Sequence, residues 1–442
     1  MIQSDAKLGV AIVGCGTVGG AAGVLLTRDA GILGGKIAPR LELRYLVDVD
    51  FSNARQQGLD ERLFCKDFAR VLADPSVGAV VELIGGLTTA KDVIVRALSA
   101  GKNVVTANKA LLAHAGPELC ALARKNGVCI AFEGSCGGGI PIIRALCGGL
   151  IANRIDALYG IVNGTCNYIL TAMSQQGQTY AQALADAQAK GLAEADPSLD
   201  VEGYDSAHKL AILAGLALGW HINVDSIPVE GIDHLDAIDL NYGRELGYVV
   251  KLLAIAQRQS EGVSLRVRPA FISVEHPLAW VSGPFNAISV YGHATGHTMY
   301  YGRGAGGMPT ASAVLADLAD VAMGTATRAF SNLSIMPDVA EEGPQLPLEA
   351  IRSRYYIRMR VADQPGVLAM VATILGNYGI SILSVLQHEQ AGAANGSVPL
   401  VITTHRAQEG AVRKALAEID ALPVVKTRSV CIGIVEEHPE EL

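Results

Sequence analysis

Short apolar runs alternating with helical stretches mark the first third of the chain. Residues 8–13 (LGVAIV) form a continuous apolar run that stops at Gly14, and residues 18–26 then read as a helix. Further strand-like runs fall at 43–47, 79–84, 103–106 and 128–132, separated by helical stretches such as 90–100 and 110–125. Apolar strands alternating with helices predict a doubly wound parallel sheet with both faces covered. After Glu133 the pattern changes to a Gly-rich turn (GSCGGGIP), long Ala-rich helices broken by acidic and Gly-containing loops, and then mixed strands between 262 and 307. This predicts a second, α+β domain. Residues 310–323 carry a helical apolar stripe (Val314, Leu315, Leu318, Val321, Ala322) suited to packing back on the first domain. Residues 334–350 hold Pro337, Pro344 and Pro347 without periodicity and read as a linker. Beyond it come a strand at 354–361, a loop and helix over DQPGVLAMVATILGNYG, strands near 380–388 and 397–404, a helix near 411–419 and a strand near 424–432. That order, βαββαβ, is ferredoxin-like.

The expected organisation is therefore a Rossmann-type nucleotide-binding domain over 1–134, completed by helix 310–333. An α+β domain follows over 135–309, then a linker over 334–351 and a ferredoxin-like unit over 352–433. Half of the 442 residues are apolar and 18% are charged, enough apolar material for several cores. A formal charge of −8 without a long Lys/Arg cluster argues against nucleic acid or an anionic membrane as partner. The start, MIQSDAKLGV, lacks the pattern of a leader, and no apolar run approaches the ~20 residues that span a bilayer. A cytoplasmic protein acting on small molecules is expected. The eight cysteines, scattered without a C-x-x-C pair, are expected to be reduced and mostly buried. His293 and His297 sit in a Gly-rich stretch where no helix brings them onto one face.

Gly14-Cys15-Gly16-Thr17-Val18-Gly19 fits G-x-G-x-x-G between the first strand and the first helix. Its glycines permit a tight turn and close approach of a pyrophosphate to the helix N-terminus. The second strand ends Val47-Asp48-Val49-Asp50. A carboxylate there accepts hydrogen bonds from ribose hydroxyls and repels a 2′-phosphate, so NAD is favoured over NADP, with Arg44 and Arg55 the arginines nearest in sequence. Ligands of open parallel sheets collect at the carboxyl ends of the strands, where Thr106-Ala107-Asn108-Lys109 and Glu133 fall. The densest polar cluster runs from Gly191 to Lys209. Within it Asp205 and Lys209 share a helix face, and the apolar residues that follow predict a buried helix whose charges face a cavity. Carbonyl reduction needs a proton donor near the oxygen that becomes negative and groups that anchor the substrate. A partly desolvated lysine suits the first need; Glu194 and Asp205 suit the second if the substrate carries an ammonium.

Taken with these, the motifs GCGTVGG, VELIGG (81–86), TANKALLA (106–113), EGSCGGGIP (133–141), NGTCNYIL (163–170), GLAEADPSLDVEGYDSAHKL (191–210) and GRGAGGMPTASAVLADL (302–318) resemble the homoserine dehydrogenase family along essentially the whole chain. The resemblance implies interconversion of aspartate 4-semialdehyde and homoserine, with Lys209 as proton donor and Lys109 in the same site. It implies that Gly191 and Glu194 hold the substrate, that Asp205 orients it, and that Gly306 approaches the nicotinamide. It also implies a sodium or potassium ion held by backbone oxygens of Glu133, Cys136, Gly138 and Ile140. Asp48 departs from the arginine that many members carry after the second strand. The C-terminal unit resembles an ACT domain, whose effector loop here is Asp363, Gln364, Pro365 and Gly366, with Asn377 to Ile380 where a paired subunit contributes. That implies feedback inhibition by threonine and a homodimer or homotetramer. Two alternatives stand beside this reading. One is a phosphorylating aldehyde dehydrogenase using Cys136 or Cys166 as a thiolate, which finds no histidine in the local sequence of either cysteine. The other is a non-catalytic amino-acid sensor on a dehydrogenase fold, which would be expected to lose Lys209, Asp205 or the Gly loop.

Overall fold

The computed structural model describes residues 7–29, 31–32, 36, 40–388 and 396–438; residues 1–6, read above for a leader, lie outside them. Strands β1 (Lys7–Val13), β2 (Arg40–Val47), β3 (Phe64–Cys65), β4 (Val77–Glu82), β5 (Asn103–Thr106) and β6 (Ile130–Ala131) form one sheet in the order β3-β2-β1-β4-β5-β6. Every pairing in it is parallel. The order reverses at β1, which puts the ligand crevice above the carboxyl ends of β1 and β4. Helix Thr17–Thr27 follows β1 directly, and helix Gly307–Met323 returns from far along the chain to pack against it, burying Val314, Leu318 and Val321.

Next in the chain are β7 (Ile155–Ile161), the two-residue β8 (Trp220–His221), β9 (Tyr248–Gln259), β10 (Gly262–Ser273), β11 (Phe285–Gly292), β12 (Gly296–Arg303) and the two-residue β13 (Glu341–Glu342). The last part supplies β14 (Arg352–Ala362), β15 (Ile382–Leu386), β16 (Ser397–Thr404), β17 (Ala407–Gln408) and β18 (Val425–Val435). Strands β7 and β9 fall outside the strands that the pattern predicts. The cause is visible in β9, where Lys251 to Gln257 is buried apart from its last residue. A strand covered on both faces loses its alternation and reads like a buried helix.

The C-terminal unit has the predicted βαββαβ order and the strand sequence β18-β14-β16-β15. Its sheet is not separate. Strand β18 pairs in parallel with β10, Ala270 to Ile272 against Gly433 to Val435, so one sheet runs through both domains as β12-β11-β7-β9-β10-β18-β14-β16-β15. Two buried ionic contacts reinforce the join. Asp239, in helix Ala237–Glu245, accepts from Tyr356 Oη at 2.9 Å and Arg358 Nε at 2.6 Å, and Arg268 Nη1 donates to Glu409 at 2.9 Å. The Pro-containing segment between the domains is also fastened, through β13 on β8 and through Arg124 to Asp338 at 2.7 Å.

Candidate active site

The strand–turn–helix at β1 has the geometry that a dinucleotide requires. Gly14 has φ +100°, and a Cβ there would lie 2.6 Å from the Leu83 backbone; a Cβ at Gly19 would lie 1.8 Å from Gly14 O. The first glycine thus serves the turn and the last serves helix-on-strand packing, while Gly16 has open space where a side chain would be. Thr17 and Val18 begin the helix, whose N–H groups face that opening. Gly306 (φ +123°) caps helix Gly307–Met323, and a Cβ on Gly307 would sit 3.0 Å from Thr17 O, so the Gly306 turn lies against the Gly loop.

Asp48 follows β2 and bonds to the loop itself. Oδ2 accepts from the Cys15 amide, and Oδ1 accepts from the amides of Val49 (2.7 Å) and Asp50 (3.3 Å). The two arginines nearest in sequence are engaged elsewhere, Arg44 with Glu42 at 3.0 Å and Arg55 with Glu61 at 3.3 Å.

At the ends of β4 and β5 the fully buried Glu82 accepts from the amides of Ile84 (2.8 Å) and Gly85 (3.2 Å) and from Thr106 Oγ1 (2.7 Å). Asn108 bonds Gly86 O through Nδ2 and caps helix Lys109–Lys125 through Oδ1, which accepts from the Leu111 amide. This bracing presents Lys109 as the first residue of its helix.

Lys109 Nζ meets Asp205 Oδ1 at 3.1 Å, and Lys209 Nζ donates to Asp205 Oδ2 at 2.7 Å and to Val162 O at 2.7 Å. One buried carboxylate therefore holds two ammonium groups brought from two helices whose first residues, Lys109 and Tyr204, lie 95 positions apart. Burial pushes the Asp205 carboxyl up, but Lys209, Lys109 and hydrogen bonds from Lys209 and Asn163 outweigh it and hold the group well below the usual carboxylate range. The charge of Asp205 holds the Lys109 ammonium above its ordinary value despite burial.

Three residues in this cluster were given no role from sequence. Asn163 Nδ2 donates to Asp205 Oδ2 (2.9 Å) and Asp200 Oδ1 (2.7 Å) while its Oδ1 caps helix Gly164–Gln176, and Thr165 Oγ1 bonds both Asp200 Oδ2 (3.2 Å) and Leu192 O (2.7 Å). An Asn ahead of a helix is readable as a cap; its reach to a carboxylate 42 residues away is not. Glu194 and Gly191 stand on the exposed loop that Thr165 ties down through Leu192, and the Glu194 side chain is not drawn into the lysine cluster. Replacing Asn163 by alanine is expected to lower kcat about tenfold, with a smaller change in stability, because a charge-assisted bond that orients Asp205 is lost. Steady-state kinetics beside thermal unfolding separate the two effects.

Glu133 lies at the start of the Gly-rich turn with both carboxylate oxygens committed to the amides of Ile143 and Arg144 at 2.9 Å. Burial pushes the Cys136 thiol up to about 12, so it stays protonated. Ile140 O accepts the Ile142 amide at 2.8 Å. A hard cation at this turn would therefore meet a protonated thiol and an already bonded carboxylate, leaving main-chain oxygens as its ligands, with Ile140 O shared with the Ile142 amide. Cys166 is buried and its thiol is pushed well above the ordinary value, so neither cysteine is an activated nucleophile. In the C-terminal domain the Asp363 amide bonds Gly396 O, Gly366 (φ +92°) has open space around it, Asn377 is exposed, and Ile380 is packed into the domain core.

Three family models match the chain: the homoserine dehydrogenase NAD-binding domain over residues 14–133, homoserine dehydrogenase over 141–319, and the ACT domain over 355–421. The homoserine dehydrogenase of Pseudomonas aeruginosa is 44% identical over 95% of this chain and 98% of its own, and that of Neisseria gonorrhoeae is 40% identical over 97% and 99%. A crystal structure of a homoserine dehydrogenase from Thiobacillus denitrificans superposes with a TM-score of 0.91 at 40% identity, covering 97% of this chain and 98% of that one. A hyperthermophilic archaeal homoserine dehydrogenase mutant in complex with NADPH superposes with a TM-score of 0.60 at 26% identity, over 72% of this chain and 98% of that one.

Proposed function

The chain belongs to the homoserine dehydrogenase family, an oxidoreductase with a nucleotide-binding domain and an ACT domain, and on that premise we propose how its own residues carry the reaction. The substrate pair is aspartate 4-semialdehyde and homoserine, and the observation that carries the reading is the buried Lys209–Asp205–Lys109 cluster. A bound nicotinamide dinucleotide supplies or accepts the hydride. Lys209, fixed by Asp205 and Val162 O, protonates the aldehyde oxygen as it becomes an alkoxide and takes the proton back in the reverse direction. Lys109, one-third exposed, adds positive charge at the same oxygen and contacts the cofactor. Gly191 and Glu194 hold the amino-acid end of the substrate from their loop.

NAD is the favoured cofactor. A carboxylate bonded to the Gly loop, with Arg44 and Arg55 paired to other acids, repels the 2′-phosphate that distinguishes NADP. The main-chain oxygens of Glu133, Cys136, Gly138 and Ile140 would hold a monovalent cation that stiffens the turn. Threonine is the expected effector at the loop of Asp363 and Gly366, with exposed Asn377 and the main chain, rather than the buried side chain, of Ile380 from a second subunit completing it. Leu383 and Val385, exposed on the edge strand β15, favour ACT domains paired in a homodimer or homotetramer.

The non-catalytic sensor reading loses ground because the Gly loop, Asp205 and Lys209 are all present and assembled. No helix among the described residues is long and apolar enough to cross a membrane. The test is oxidation of homoserine with NAD and, separately, NADP, with and without threonine. Faster turnover per KM with NAD, and inhibition by threonine, are expected. No activity with either cofactor in sodium or potassium would overturn the catalytic reading, and indifference to threonine would overturn the effector assignment.

A further inference from the structure

Arg266, on β10, is 4% exposed, and the hydrogen bond its guanidinium makes among the described residues goes from Nη1 to Ser264 Oγ, not to a carboxylate. Two residues on, Arg268 takes the acids within reach, Glu230 at 3.1 Å and Glu409 at 2.9 Å. Burial and the neighbouring Arg268 lower the Arg266 guanidinium to about 10, which still leaves it charged at neutral pH. Glu409, bonded to Arg268, acts on Arg266 only at longer range, and a buried charge that no carboxylate bonds directly is disfavoured. Nearby, in the electrostatic reach of Arg266 and Arg406, Tyr159 is fully buried with its hydroxyl unpartnered.

Arg266 lies on β10, the strand that meets β18 of the C-terminal domain, and it opens into a groove of about 330 Å³ lined also by Arg258, Arg352, Arg406 and Glu436. The acid in this lining, Glu436, is bonded to Arg406 at 2.6 Å and to Arg354 at 3.3 Å, so it does not neutralise Arg266. Arg258 stacks on Trp220 and donates Nε to Ile155 O, which fixes its guanidinium at the groove wall. We propose that this groove binds a small oxyanion, a carboxylate or a phosphate, with Arg266 as the buried anchor and Arg352 and Arg406 as its rim. Guanidinium groups present paired N–H donors that match either anion. Residues 258 and 266 come from one domain and 352 and 406 from the other, so an occupant would tie the second domain to the ACT domain. This position is separate from the effector loop at Asp363 and from the lysine cluster.

The test uses the full-length protein saturated with NAD, which occupies the Gly loop, and titrates it calorimetrically with citrate in one arm and inorganic phosphate in the other at ionic strength matched with potassium chloride. Saturable binding is expected in at least one arm, and the arm that responds identifies the anion. Arg266→Met should weaken it by about tenfold or more, and the double variant Arg352→Ser/Arg406→Ser by about three- to tenfold. If Arg266→Met does not fold, the double variant decides, since both its residues are exposed. The proposal is overturned if neither anion binds saturably, or if affinity is unchanged in every variant that folds.

Discussion

Lys209→Ala is expected to lower turnover by ~10²- to 10⁴-fold while leaving the KM for NAD nearly unchanged, the loss typical of removing a positioned proton donor. Lys209 is 9% exposed on its side chain and bonded to Asp205 and Val162 O, so water cannot easily replace it. Lys209→Met is the better control for packing, because it keeps an unbranched chain of similar length in the apolar part of the pocket. Both variants should fail alike. If they fold and lose less than about threefold, Lys209 is not the proton donor, and Lys109→Ala then becomes the decisive variant. The reverse pattern, in which Lys109→Ala costs more than Lys209→Ala, would exchange their roles.

Much of this arrangement is legible along the chain because it depends on local rules. Strand, Gly loop and helix are contiguous, and the i, i+4 spacing of Asp205 and Lys209 survives folding as a 2.7 Å contact. The burial of that pair also follows from the apolar residues after it. What escapes is what only tertiary structure brings together. Lys109 and Asp205 meet across 96 positions, and Asn163 reaches Asp205 from a helix cap whose local purpose already explains an asparagine. The continuity of the sheet through β10 and β18 is invisible for another reason. Each strand has a sufficient local partner in β9 or β14, and nothing in either pattern announces a second neighbour. Asp48 is a partial case. Its place after β2 is readable, but its bond to the Cys15 amide emerges only when the loop closes over it.

Asp205→Asn should be costly in both stability and activity. The substitution keeps the side-chain shape but removes the one negative charge bonded to two ammonium groups in a site where Asp205 is 4% exposed. Breaking a buried ion pair from one side typically costs about 3–5 kcal/mol, because the remaining charge is stranded. Here two charges are stranded side by side. Activity should fall by on the order of 10²-fold or more even in the fraction that folds, since Lys209 and Lys109 lose their common anchor and repel each other. Acid unfolding gives an independent check. The Asp205 carboxyl is held below its ordinary value of 3.8 in the folded protein, so its stabilising contribution is complete above that pH and is lost as pH falls further below it. The parent should therefore lose stability in that acid range through Asp205, and the asparagine variant, already without the charge, should show a shallower loss. Equal midpoints for parent and variant at neutral pH would mean that the two lysines find other partners, and Asp205 would then be an incidental neighbour of the site rather than its anchor.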